Sequence, residues 1–118
     1  MHPDDFSYEV IDGVVIEKIH FSRATFKEAT IFKSRLDRYV SLKHYKIIID
    51  LSECSFIDST FLGVMVVVLK KVAEKSGEVK FIITYQSLLI TLSTTKLHRL
   101  FNIYSTKEEA LKSFENSF

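Results

Sequence analysis

The stretch IIIDLSECSFIDSTFLGVMVVVLKK, residues 47–71, places a short polar segment between two apolar ones. The first apolar segment begins with three successive isoleucines, and apolar residues on both faces favour a buried central strand. The second is long enough for a helix, and it directly follows Asp58, Ser59 and Thr60, which are residue types that cap helix N-termini. The stretch therefore predicts an α/β fold in which acidic and hydroxyl side chains lie at the start of a helix.

The rest of the chain extends this pattern in both directions. Near the N-terminus, alternating apolar residues flank Asp12-Gly13, and such alternation around an Asp-Gly pair predicts a β-hairpin. Because single strands alternate with helices after the hairpin, we expect parallel pairing there and a mixed sheet overall. The fold class is α/β, with about four helices in a single domain over residues 1–118. Apolar periodicity predicts the later elements, namely helices over 22–44, 60–75 and 87–96, a last helix through 114 after a capping box at 105–109, and strands over 46–51, 79–84 and 101–104.

Composition narrows the classes of partner. The net charge is +1 and the cationic residues are dispersed, so no nucleic-acid surface is predicted. A single cysteine, Cys54, excludes an internal disulfide and suits a reducing compartment. The longest apolar run, residues 61–69, is far shorter than the roughly 20 residues of a membrane span, and the first ten residues do not resemble a signal peptide. These features predict a cytoplasmic protein with neither a nucleic-acid partner nor a membrane partner.

The sequence lacks the patterns of enzymatic and metal chemistry. Its four histidines, at positions 2, 20, 44 and 98, do not have the spacing of metal ligands. Its three glycines form no phosphate-binding loop, and Ser59 lacks the Gly-x-Ser-x-Gly context of a hydrolase nucleophile. We therefore expect no catalytic residue, no metal and no cofactor.

The helix that follows Ser59 carries apolar residues on more than one side. One interpretation is a helix buried on all sides, with the terminal helix as the outer cover; the other is an exposed apolar patch that binds another protein. Laid out at about 100° per residue, the side that covers the sheet holds Leu62, Met65, Val66, Leu69, Val72 and Ala73, the opposite side holds Val64, Val67 and Lys71, and Phe61 and Val68 lie on one flank.

Ser59 has two possible roles at the start of this helix. In the first, Asp58, Ser59 or Thr60 only caps the helix by accepting hydrogen bonds from its free N–H groups. In the second, Ser59 carries a phosphate, which the positive end of the helix dipole tolerates and which adds nearly two negative charges to the surface. Such a modification would switch off an apolar binding surface nearby.

The whole segment from Ile47 to Lys71 resembles the central motif of STAS domains, specifically the bacterial anti-sigma factor antagonists. The resemblance continues through SGEVKFII to LHRLFNIYSTKEEAL, so it covers nearly the whole chain. It implies that Ser59 is phosphorylated by a partner kinase that is also the anti-sigma factor, that Asp58 and Thr60 support this site, and that a serine phosphatase removes the phosphate. The unphosphorylated protein would bind the kinase and free the sigma factor. The resemblance and the helix pattern together place partner binding at Phe61, Val64, Val67 and Val68.

Two departures from the family pattern keep alternatives open. Phe61 stands where the family usually has glycine, which places bulk beside the acceptor serine, and the loop after the second strand has Arg23 but no acidic residue. These departures favour a STAS scaffold without a switch, or a subunit of a transport complex. A third alternative is a receiver domain phosphorylated on Asp50, although the chain lacks the acidic pair after the first strand and the lysine near the last strand that receivers need.

Overall fold

A five-stranded mixed sheet forms the centre of the computed structural model, which describes residues 5–115. His2 and the two ends of the predicted domain lie outside the described residues. The elements in chain order are β1 (Phe6–Ile11), β2 (Val14–Ile19), β3 (Arg23–Ala24), α1 (Phe26–Ser41), β4 (Lys46–Asp50), β5 (Phe56–Ile57), α2 (Ser59–Glu74), β6 (Glu78–Ile82), α3 (Gln86–Thr94), a 3-10 turn (Leu97–Arg99), β7 (Asn102–Tyr104) and α4 (Lys107–Glu115).

The sheet has the strand order β1-β2-β4-β6-β7, and its pairing confirms the prediction of a mixed sheet. β1 and β2 are antiparallel, and β2, β4, β6 and β7 are mutually parallel neighbours. The hairpin turn has positive φ at both central residues, 50° at Asp12 and 79° at Gly13, as the tight turns that join twisted strands require. The Asp-Gly pair therefore sets the register of the first two strands.

Helices cover the two faces of the sheet unequally. α1, α2 and α3 contribute to the larger core on one face, whereas α4 contributes Ala110 and Phe114 to a smaller core on the other. Central strand β4 serves both cores, because Ile47 and Ile49 belong to the larger one and Ile48 to the smaller. None of the helices within residues 5–115 is long and apolar enough to cross a membrane.

Two short strands, β3 and β5, were not predicted. Each has two residues, which is too few to show an alternating pattern, and they pair in parallel with Arg23 opposite Phe56 and Ala24 opposite Ile57. Their pairing joins the loop after β2 to the loop after β4. As a result, the N-terminal ends of α1 and α2 lie side by side.

An ion pair between a buried carboxylate and a partly exposed guanidinium holds α1 on the sheet. The Glu17 carboxylate on β2 is fully buried and accepts hydrogen bonds from the Arg35 guanidinium and, at 2.7 Å, from the Tyr39 hydroxyl, both on α1. Burial raises the pKa of the Tyr39 hydroxyl above its ordinary value, and the hydrogen bond to Glu17 raises this pKa further. The donors satisfy a carboxylate that would otherwise be costly to bury.

Candidate partner-binding site

The Asp58 carboxylate caps two helices at once. Its Oδ1 accepts a hydrogen bond from the Phe61 N–H of α2 at 2.9 Å, and its Oδ2 accepts one from the Phe26 N–H of α1 at 2.8 Å. The backbone N–H of Asp58 donates to the Ala24 carbonyl at 2.9 Å, which ties the carboxylate to β3. The negative charge thus lies where the positive ends of two helix dipoles meet, and both ends stabilise it.

Ser59 is the first residue of α2, and its side chain is exposed, as is that of Thr60. Since Asp58 supplies the cap, the Ser59 hydroxyl is not needed for that role, and among the described residues it has no hydrogen-bond partner. The first intrahelical bond runs from the Leu62 N–H to the Asp58 carbonyl at 3.0 Å. The N–H groups of Ser59 and Thr60 therefore precede the hydrogen-bond ladder of the helix.

α1 begins beside Asp58 with a capping box. The Lys27 N–H donates to the Thr25 hydroxyl at 3.3 Å, and the Thr25 N–H donates to the Glu28 carboxylate at 3.0 Å. This reciprocal capping fixes the first turn of the helix. It also engages the Glu28 carboxylate in local hydrogen bonds, so Glu28 is not a free acid.

An open depression lies next to the shared helix ends. Two of its rings are exposed, Phe26 by 64% and Phe56 by 38%, and the Arg23 guanidinium lies 4.1 Å from the centre of the Phe56 ring. Exposed phenylalanines beside cationic side chains are a surface typical of protein recognition rather than of small-molecule binding. The depression is lined by Arg23, Thr25, Phe26, Lys27, Glu28, Phe56 and Asp58.

Phe26 and Phe56 were not predicted as site residues, although the sequence carries a signal for Phe56. Adjacent residues of a strand point to opposite sides, so of the apolar neighbours Phe56 and Ile57 one had to point outward. Ile57 is buried and Phe56 is the exposed member of the pair. Phe26 gave no such signal, because it lies three residues before the buried Ala29, a spacing that places two residues on the same face of a helix.

The outer face of α2 is not the apolar patch that the sequence suggested. Phe61 and Val68, two of the four expected partner-binding residues, are fully buried, and Val64 is half-buried against the larger core. Of those four, only Val67 is exposed, by 43%. The assignment of Phe61 and Val68 to a partner-binding surface is therefore wrong.

The physical reason is that α2 has two neighbours within the domain. It packs against the sheet on one side and against α1 on another, so its apolar arc is wider than a single face requires. The cover is α1 and not the terminal helix, since α4 lies on the opposite face of the sheet. Three residues expected beneath the helix differ as well, because Ala73 is exposed and Val66 and Leu69 are only half-buried.

Phe61 does not crowd Ser59, contrary to the expectation from the family pattern. Its ring stacks on Phe32 of α1, with centroids 4.4 Å apart and an angle of 15° between the ring planes. A second ring, Phe21, meets it edge-on at 6.4 Å. The bulk is thus directed into the core, and Ser59 remains accessible.

Two other reactive groups are enclosed. Cys54 is buried, its thiol donates to the Phe56 carbonyl at 3.2 Å, and burial raises the pKa of the thiol above its ordinary value. Asp50 is only 6% exposed, and its carboxylate accepts a hydrogen bond from the Ser52 N–H at 2.9 Å. Neither group offers an exposed acceptor comparable to the Ser59 hydroxyl.

Comparisons with known proteins agree on one family. The family model described as STAS domain matches residues 6–110. A candidate anti-sigma factor antagonist from Thermotoga maritima is 32% identical over 108 residues, which are 91% of this chain and 95% of that protein. A crystal structure of a candidate anti-sigma factor antagonist from the same organism is similar with a TM-score of 0.81 at 31% identity, over 92% of each chain.

A more distant neighbour is the Bacillus cell fate determinant SpoIIAA in its phosphorylated form. It is 16% identical, and the TM-score is 0.72 over 92% of this chain and 98% of that chain. This likeness shows the shared fold alone.

Proposed function

The chain belongs to the STAS domain family, and on this premise we propose that it is an anti-sigma factor antagonist whose partner binding is switched by phosphate on Ser59. The observation that supports the proposal most directly is the position of Ser59. Its hydroxyl is exposed and unbonded among the described residues, directly after the carboxylate that caps both helices. A hydroxyl in this position is available to a kinase without local unfolding.

The partner surface in this proposal is the docking surface formed by Arg23, Phe26, Lys27 and Phe56. It replaces the outer face of α2, which is largely buried. The two exposed rings supply apolar area that a partner can cover, and burial of such area is the main favourable contribution to association. Asp58 orders this surface, because its two hydrogen bonds fix the ends of α1 and α2 beside each other.

The switch operates through charge. The unphosphorylated protein binds an anti-sigma factor that is also a serine kinase, and the sigma factor is released. Transfer of a phosphoryl group to the Ser59 hydroxyl adds nearly two negative charges next to the docking surface. These charges prevent formation of the same complex, because burying them costs desolvation energy and they repel acidic groups of the partner. A serine phosphatase hydrolyses the ester and restores binding. The protein itself acts as a binding module and not as an enzyme.

The test is a pull-down from the native cell with the wild-type protein as bait, followed by mass spectrometry of both the captured proteins and Ser59. We expect a kinase of the anti-sigma type and its sigma factor, with phosphate on Ser59 in a fraction of the bait. Ser59→Asp should capture less of the same kinase than Ser59→Ala does. Capture of transporter subunits, with Ser59 unmodified, would instead support a scaffold in a transport complex. Because the chain belongs to the STAS family, the receiver interpretation of Asp50 no longer has support.

A further inference from the structure

A phosphate on Ser59 would enter a site where much of the available hydrogen bonding is already in use. The neighbouring Asp58 carboxylate takes the N–H groups of Phe26 and Phe61, one for each oxygen. Only the N–H groups of Ser59 and Thr60 remain ahead of the first intrahelical bond. A phosphate dianion beside the Asp58 carboxylate is destabilised by like-charge repulsion, so it requires positive charges from other residues.

Two unpaired cations lie within this part of the surface. Arg23 and Lys27 are exposed, both line the depression that Asp58 also lines, and neither has an ion pair among residues 5–115. Arg23 rests over the exposed face of Phe56 at 4.1 Å, a weak contact from which a guanidinium can turn to an oxyanion. The other acid of the depression, Glu28, is held in the capping box of α1.

We propose that Arg23 and Lys27 are the counter-ions of a phosphate on Ser59. They are also the groups that pair with acidic side chains of the unmodified protein's partner, so phosphate and partner compete for the same two cations. The competition gives the switch two components, since the phosphate both adds charge and withdraws the cations from the partner. The inference rests on the proposed function in two respects, since it takes Ser59 as the phosphate acceptor and places Arg23 and Lys27 in the docking surface.

The test needs no partner, because phosphoserine can be incorporated at position 59 by genetic code expansion. The second pKa of the phosphate is then followed by ³¹P NMR titration in wild type, Arg23→Gln, Lys27→Gln and Lys70→Gln. A nearby cation favours the dianion, so we expect the second pKa to be higher in Arg23→Gln and in Lys27→Gln than in wild type. Lys70→Gln is the matched control, since it removes one exposed cation about 16 Å further along α2, and it should titrate as wild type does. Equal titration of all four proteins would overturn the inference.

Thermal melting gives an independent readout. The change in Tm that phosphorylation causes should be more negative in the double variant Arg23→Gln/Lys27→Gln than in wild type, because the repulsion from Asp58 is then uncompensated. The substitutions can lower Tm by themselves, for example through loss of the Arg23–Phe56 contact. Subtracting the Tm of the unmodified form from that of the phosphorylated form removes this effect. The same difference in both backgrounds would contradict the inference. It would leave the proposed function standing, because that function is tested by the captured partners.

Discussion

The ring of Phe61 on α2 stacks on the ring of Phe32 on α1, and both side chains are fully buried. This contact joins the two helices inside the domain, and Asp58 joins their N-termini at the surface. The exposed Ser59 is therefore held on a base formed by packing inside the domain and by hydrogen bonds at the surface. The family's usual glycine at the Phe61 position would leave this base without its ring stack.

Phe61→Gly should lower the free energy of unfolding by about 3–5 kcal/mol, because removal of a buried ring leaves a cavity in the larger core beside Phe32. The measurement is urea unfolding followed by circular dichroism. Val67→Ala is the control on the same helix, and since Val67 is 43% exposed, its effect should stay within about 1 kcal/mol. A loss below about 1 kcal/mol for Phe61→Gly would show that the ring is not packed as described.

Asp58→Ala should destabilise the protein by roughly 2–4 kcal/mol, because two helix N–H groups lose a charged acceptor. Asp58→Asn keeps one acceptor oxygen and should be intermediate. Hydrogen exchange provides the decisive readout: the amides of both Phe26 and Phe61 should exchange faster in Asp58→Ala. Faster exchange at Phe61 alone would mean that Asp58 caps only its own helix.

Val67→Lys and Val68→Lys place the same charge on neighbouring positions of α2 with opposite environments. Val68 is fully buried and Val67 is 43% exposed. We expect Val68→Lys to unfold the domain, because an unpaired charge would enter the core, whereas Val67→Lys should melt close to wild type. Binding to the captured partner should also survive Val67→Lys, and a severe loss there would return the outer face of α2 to the interface.

Phe26→Ser should weaken partner binding by roughly ten- to hundred-fold, which corresponds to about 1–3 kcal/mol for the loss of a large apolar contact. Its effect on Tm should be small, since the ring is 64% exposed in the free protein. Leu42→Ser is the matched control, because Leu42 is 61% exposed at the far end of α1. Isothermal titration of the partner separates the two variants, and equal losses for both would place the docking surface elsewhere.

Stability should depend on alkaline pH through Tyr39. The pKa of Tyr39 is raised in the folded protein, whereas tyrosine in the unfolded chain titrates at about pH 10. The stability that this group contributes is therefore complete below about pH 10 and is lost as the pH rises further. The cause is burial, followed by the hydrogen bond to Glu17, which a tyrosinate could no longer donate. The free energy of unfolding should therefore fall more steeply above about pH 10 in wild type than in Tyr39→Phe.

The control for this pH dependence is Tyr85→Phe, which removes a phenol that is 47% exposed. Tyr85→Phe should retain the steep fall of wild type, while Tyr39→Phe, although about 1 kcal/mol less stable near neutral pH, should lose it. Identical slopes in the two variants would mean that other groups dominate the alkaline transition.

Local pattern was sufficient for most of the fold. The hairpin, the four helices and the strand β4 followed from the Asp-Gly pair, helical spacing and three successive isoleucines, because each of these signals lies within a few neighbouring residues. A helix cap at Asp58, Ser59 or Thr60 was an equally local prediction, and the structure assigns the cap to Asp58. The role of Ser59 as a phosphate acceptor came from family resemblance and stays a prediction.

Packing between elements that are distant in sequence decided the rest. Periodicity shows how wide the apolar arc of α2 is, but not that α1 covers part of it, so the burial of Phe61 and Val68 and the exposure of Phe26 could not be read from spacing. The same holds for Glu17, which a strand pattern alone would not place in the core without its partner Arg35 from α1. Burial is a property of pairs of surfaces, and a single chain segment encodes only one surface of each pair.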